Sequence, residues 1–164
     1  MDQTPWFSRK FRFDFDQNIM PSLISRLEGA PLRLRENLKH IPEKQLRVKH
    51  DSKWSVLEHI GHLCDLEPLW QQRLQDILEG KEYLRNADLN NTKTDEANHN
   101  KKSPSELLEQ FTSLRNETID KLKKLNEEEI FKSSLHPRLK IPMNTLALFT
   151  FVADHDDHHL AAMS

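Results

Sequence analysis

The sequence predicts an all-α fold, namely a four-helix bundle with a long crossover loop between the second and third helices. Glycine occurs only three times, and aromatic residues make up 7% of the 164 residues. Leu, Lys, Glu and Arg dominate instead, a composition that favours helices over sheets. Apolar residues also recur at helical spacing in four stretches. Four amphipathic helices pack as a bundle, and the length fits a single domain spanning residues 1–164.

The N-terminal part is predicted to be an arm followed by the first helix. Residues 6–17 alternate aromatic and charged side chains, which suits a short strand, but no later stretch offers a partner. Residues 1–18 are therefore expected to form an ordered arm. Leucines at helical spacing predict a helix from Ile19 to about Lys39. Because Pro31 lacks a backbone N–H, we expect a kink or break near it.

The second and third helices carry recognisable terminal residues. Ser55 and Glu58 form a capping box at the start of the second helix, and Gly80 supplies its end. Ser103, followed by a proline at the first helical position, begins the third helix, which should end near Leu125. Both helices therefore have a defined starting point.

Three further segments complete the chain. Residues 81–102 are polar and turn-prone, so they are predicted to be mostly a crossover loop, with room for a short helical turn. The acidic run 127–129 is predicted to be a solvated turn. Asn144 is the expected N-cap of the fourth helix, whose apolar residues recur at helical spacing.

Charge and cysteine content argue against several classes of protein. Lys and Arg number 24 against 26 Asp and Glu, and a net charge of -2 gives no field that would gather nucleic acid. A single cysteine, Cys64, excludes an internal disulfide framework and fits a reducing compartment. No stretch approaches the roughly 18 apolar residues of a membrane span. We expect a cytoplasmic protein that binds neither nucleic acid nor membranes.

Histidines near the C-terminus indicate a metal site. His155 and His159 stand four residues apart, so one helix face presents them together as a bidentate metal clip that needs a further ligand. The second helix offers His59 and His62. On a helical wheel His62, like the C-terminal pair, flanks its apolar stripe, whereas His59 should be more buried and His158 should point outward. The wheel therefore favours His62, His155 and His159.

Simpler interpretations compete with the metal site. A single His-x-x-x-His spacing often arises by chance, on an exposed polar face near a helix end. Glu67 and Asp156 fall near the inward sides of their helices, where a carboxylate can orient a ligand imidazole or act as a general base. Each can equally pair with Arg73 or another cation. Cys64 is predicted to be a small buried residue rather than a nucleophile.

Several stretches resemble a known family. The stretch KWSVLEHIGHLCDLEPLWQQRL resembles the helix-two signature of the DinB/YfiT-like superfamily. That signature is a Trp-Ser cap, then a ligand histidine before leucine, and then an acidic residue. The stretch LHPRLKIPMNTLALFTFVADHDDHHLAAM resembles the final helix of the family. Helices one and three of the DinB_2-type subgroup also have counterparts in this sequence, so the likeness covers most of residues 20–163. The resemblance implies that His62, eight positions after Trp54, is the helix-two ligand, and that His155 and His159 are the others.

The resemblance also implies a function. Members of this superfamily form four-helix bundles, often dimeric, in which three histidines hold a zinc or nickel ion and leave positions open for water or substrate. The resemblance implies an activity like that of relatives that are transferases or isomerases using low-molecular-weight thiols, or that of relatives regarded as metal-dependent hydrolases. We therefore expect a homodimeric metal-dependent enzyme acting on a small molecule, with Glu67 or Asp156 as the nearest candidate for a general base or a ligand-orienting group. The alternative is a non-catalytic binding or stress-response protein with weak or no physiological metal.

Overall fold

The computed structural model describes residues 3–51 and 53–163. These residues form, in chain order, α1 (Met20–Lys39), α2 (Val56–Leu78), α3 (Thr92–Glu96), α4 (Pro104–Leu122), α5 (Glu127–Phe131), β1 (Ser133–Leu135), β2 (Pro142–Asn144) and α6 (Thr145–Ala162). The long helices α1, α2, α4 and α6 pack as a bundle, which confirms the predicted fold class. The predicted domain 1–164 and arm 1–18 include residues 1, 2, 52 and 164, which lie outside the described residues.

The predicted helix caps are confirmed. The Ser55 hydroxyl accepts a hydrogen bond from the Glu58 backbone N–H, and the Glu58 carboxylate accepts one from the Ser55 backbone N–H. Gly80, just beyond α2, has a φ of 72°, a left-handed conformation that glycine adopts without strain. Ser103 and Asn144 cap α4 and α6 through their side-chain oxygens.

No helix in the described part of the chain is both long and apolar enough to cross a membrane.

The first helix runs unbroken through Pro31, so of the predicted kink or break, the break does not occur. A proline inside a helix leaves the carbonyl four residues earlier without its usual donor. Here that carbonyl belongs to Leu27, and it accepts a hydrogen bond of 3.3 Å from Nη1 of Arg115 on α4. A partner from a neighbouring helix thus satisfies the group that Pro31 leaves free, and α1 continues to Lys39.

The connection between α4 and α6 contains more regular structure than predicted. The acidic run 127–129 begins α5 rather than forming a solvated turn, because Asn126 and Glu129 make a reciprocal capping box. Helix α4 also ends at Leu122, before the predicted position. The short strands β1 and β2 then pair antiparallel, with Ser133 opposite Asn144, which brings the chain to the start of α6.

The N-terminal arm and the crossover segment both lie against the helices that carry the predicted histidines. The rings of Trp6 and Phe11 are centred 5.0 and 5.1 Å from the ring of Phe151 on α6. None of the described arm residues belongs to a strand. In the crossover segment, α3 and a short 3-10 turn, His99–Lys101, pack against α2.

Candidate metal centre

Three imidazoles converge between α2 and α6. Nε2 of His155 lies 3.3 Å from Nε2 of His62 and 3.1 Å from Nε2 of His159. All three side chains are buried, and their ligand atoms lie within 4.8 Å of one another. These are the residues that the helical wheel and the family resemblance selected. We refer to His62, His155 and His159 as the three-histidine cluster.

The geometry of the three-histidine cluster fits a divalent metal ion. Zinc–nitrogen bonds of about 2.0–2.1 Å in a tetrahedral arrangement place ligand nitrogens about 3.3–3.4 Å apart, close to the observed separations. Burial lowers the pKa of His62 to about 4 and lowers the pKa of His155 and His159 well below the usual value. The rings are therefore neutral near pH 7, which is the protonation state that binds metal.

A hydrogen-bond chain from the crossover segment orients His62. The Thr94 hydroxyl donates to Oδ2 of Asp65 at 2.9 Å, so its oxygen is left to accept from Nδ1 of His62, 3.1 Å away. With its proton on Nδ1, His62 presents the lone pair of Nε2 to the cluster. Nε2 of His99 also lies 2.8 Å from Oδ2 of Asp65.

Sequence reasoning missed Asp65, Thr94 and His99. The available signal was the spacing of Asp65, three residues after His62 and hence on a neighbouring part of the same helix face. Thr94 and His99 lie in the crossover segment, whose path no sequence pattern determined.

The absence of a side chain at Gly61 makes room for His99. A Cβ atom placed on Gly61 would lie 2.1 Å from Cγ of His99, far inside van der Waals contact. His99 is itself buried. The close approach of this ring to α2 therefore requires glycine at position 61.

The other two histidines differ from the predictions. His59 is half-buried and more exposed than His62, because Trp54 and the crossover segment cover the His62 ring. Nδ1 of His59 lies 2.8 Å from Nδ1 of His159. His158 was expected to point outward but is partly covered by Trp6, whose ring is centred 5.5 Å away. A helical wheel contains neither the arm nor the crossover segment, so it misses both effects.

The predicted acid–base residues lie elsewhere. The Glu67 carboxylate accepts hydrogen bonds from the Arg115 guanidinium and the Thr118 hydroxyl, and the Asp156 carboxylate accepts two more from Arg115. Glu67, Arg115 and Asp156 are almost completely buried. The cation beside both carboxylates is Arg115 rather than Arg73, and none of these hydrogen bonds reaches the three-histidine cluster, so a role of Glu67 or Asp156 as general base or ligand-orienting group stays a prediction. We refer to Glu67, Arg115 and Asp156 as the buried ion triad.

Cys64 agrees with its predicted packing role. Its side chain is buried, and its thiol donates to the Leu107 carbonyl oxygen at 3.5 Å. Burial raises the pKa of the thiol to about 12, so it stays protonated at neutral pH and is a poor nucleophile.

A cavity of about 170 Å³ adjoins the three-histidine cluster. Helix α2 contributes one face to it, consisting of His62, Leu66, Trp70 and Arg73, which follow one another at helical spacing. Aromatic side chains form much of the remaining wall, namely Trp6 and Phe7 of the arm, Trp54 before the α2 cap, and Phe151 on α6. A small molecule in this cavity would contact the cluster within a largely apolar enclosure.

Comparisons with known proteins agree with this architecture. The model of the DinB superfamily matches residues 26–163. A solved structure of YfiT from Bacillus subtilis, described as a probable metal-dependent hydrolase with an unusual four-helix bundle topology, superposes with a TM-score of 0.77 at 20% sequence identity, covering 95% of this chain and 91% of that one. Among proteins with curated functions, none matches the sequence. The chain, matched over most of its length, belongs to the DinB superfamily.

Proposed function

We propose that this protein is a metal-dependent enzyme that acts on a small molecule at the three-histidine cluster. The observation that carries the proposal is the separation of the Nε2 atoms, 3.1 and 3.3 Å around His155, which suits three ligands of one ion. Imidazole suits both zinc and nickel, so we propose one of these. Homodimerisation and a cytoplasmic location remain predictions from the sequence.

The side chains around the cluster have defined tasks in this proposal. His62, His155 and His159 would hold the ion, and Thr94 keeps the Nε2 lone pair of His62 directed at it. A divalent ion held in this way supplies a Lewis acid that can activate water for hydrolysis or a thiol for transfer. The aromatic wall limits the access of bulk water to the substrate.

The reaction we favour is hydrolysis, the activity ascribed to the Bacillus subtilis protein of similar fold. Transfer that uses a low-molecular-weight thiol as cosubstrate is the second candidate, and the family resemblance supports it. A screen of esters and amides, run with and without small thiols, separates the two reactions. Turnover that requires the thiol would favour transfer, and turnover without it would favour hydrolysis.

Metal analysis tests the proposal itself. Untagged protein should contain about one zinc or nickel ion per chain by elemental analysis, and the variants His62→Ala and His155→Ala should lose that ion while remaining folded by circular dichroism. The exposed His50 provides a matched control, since His50→Ala should retain the ion. Wild-type protein without stoichiometric metal would contradict the proposal and favour the non-catalytic alternative.

A further inference from the structure

Arg73 is a buried cation that forms no ion pair with a carboxylate in the described part of the chain: burial lowers its pKa to about 10, and the charge of Asp76 opposes that shift. Its side chain is 2% exposed, and its Nε donates to the Arg85 carbonyl oxygen at 3.0 Å. Within residues 3–51 and 53–163, neither Nη atom of Arg73 has a hydrogen-bond partner. Asp76, one turn further along α2, is instead bonded to Arg85 and Lys81. A buried guanidinium ordinarily has a carboxylate or phosphate beside it.

Arg73 lines the same cavity as the three-histidine cluster. The Trp70 ring connects the two, because its centroid lies 5.6 Å from Cζ of Arg73 and 5.8 Å from the His155 ring. A ligand lying along this indole would therefore reach the guanidinium at one end and the cluster at the other.

The surroundings of Arg73 include one further cation, a neutral histidine and two carboxylates, Asp76 and Asp88, that have other hydrogen-bond partners. Arg138 also lines the cavity, with its Cζ 5.7 Å from the Phe7 ring centroid. Nδ1 of His136 accepts two backbone N–H groups, and burial lowers the pKa of His136 to about 4, so this ring is neutral at pH 7. Asp88 is the acidic residue among the described wall residues, and its oxygens accept from the backbone N–H groups of Asn90 and Lys93.

We propose that Arg73, assisted by Arg138, binds the carboxylate of the substrate, which makes the substrate class small carboxylic acids with an apolar, preferably aromatic, body. One buried guanidinium matches one monoanionic carboxylate through two parallel hydrogen bonds. A cavity of about 150 Å³ holds benzene, so about 170 Å³ accommodates one ring with a short charged arm. The position of the reacting group at the cluster rests on the proposed function, whereas the carboxylate subsite does not.

Binding of a matched pair of probes tests this subsite. We would titrate zinc-loaded protein with 3-phenylpropionate and with the neutral 3-phenylpropanol, following the fluorescence of the tryptophans that line the cavity. The acid should bind more tightly, and Arg73→Gln should weaken it at least tenfold with no change for the alcohol. Arg73→Lys should give an intermediate loss, and Arg35→Gln, at an exposed position on α1, should have no effect.

A second variant separates this proposal from the metal proposal. If the acid binds equally to wild type and to His62→Ala but weakly to Arg73→Gln, the carboxylate lies at Arg73 whether or not the cluster holds metal. If the acid is lost in His62→Ala and retained in Arg73→Gln, it binds at the cluster and the subsite is overturned. Equal affinities for the acid and the alcohol would also overturn it. Should Arg73→Gln fail to fold, Arg73→Lys and the exposed Arg138→Gln supply the same comparison.

Discussion

Thr94, in the crossover segment, lies 3.1 Å from Nδ1 of His62 on α2 and donates its own hydrogen to Asp65. The hydroxyl therefore fixes which nitrogen of His62 carries the proton. Thr94 is not itself a metal ligand, but it determines whether His62 offers its Nε2 lone pair to the three-histidine cluster.

Removal of this hydroxyl should weaken metal binding. Thr94→Val preserves the shape of the side chain but leaves Nδ1 of His62 without its acceptor, so the zinc affinity should fall about 10- to 100-fold. Competition with a chromophoric chelator measures the change, and Thr94→Ser, which keeps the hydroxyl, should bind nearly as tightly as wild type. Equal affinity in Thr94→Val would mean that the chain of hydrogen bonds does not orient His62.

Gly61 and His99 should be coupled in stability. Gly61→Ala places a Cβ against the His99 ring and should lower the free energy of unfolding by about 1–3 kcal/mol. Gly29→Ala is the control, because a Cβ there meets no atom of the described residues within 4 Å and alanine is the better helix former. Denaturant unfolding checks both. In Gly61→Ala/His99→Ala the penalty of the first substitution should shrink, and strictly additive effects would argue against the contact.

The buried ion triad should be structural rather than catalytic. Arg115→Met leaves Glu67 and Asp156 buried without their cation, so unfolding should become easier by about 3–5 kcal/mol. Glu67→Gln should also destabilise the protein, yet the folded variant should retain its metal. Stability comes from urea titration and metal content from elemental analysis. A fully stable Glu67→Gln protein that loses its metal or all turnover would return Glu67 to the site.

Stability should decrease below pH 6.5 in the metal-free protein. Burial lowers the pKa of folded His136 to about 4, whereas the unfolded chain takes up this proton near 6.5. The unfolded state thus binds more protons between these values, so this one histidine lowers the free energy of unfolding as the pH falls from 6.5 to 4, by at most about 1.4 kcal/mol per pH unit. His136→Asn, which keeps an acceptor for the backbone N–H groups, should flatten the slope in urea titrations with chelator. An unchanged slope would assign the acid sensitivity to other groups.

Local sequence signals predicted what a single helix determines. Capping pairs such as Ser55 and Glu58 act over three residues, and the spacing of His155 and His159 follows from helix geometry alone. Contacts between distant segments were not predictable in this way. The Leu27 carbonyl, four residues before Pro31, is satisfied by Arg115, 88 positions away, and the same arginine binds Glu67 and Asp156.

X-ray absorption at the zinc edge of untagged, zinc-loaded protein tests the central claim most directly. The three-histidine cluster predicts a first shell of nitrogen and oxygen only, with three imidazoles at about 2.0–2.1 Å, whereas His62→Ala should retain no zinc to give such a shell. A sulfur ligand near about 2.3 Å, or a wild-type shell with fewer than three imidazoles, would contradict the proposed metal centre.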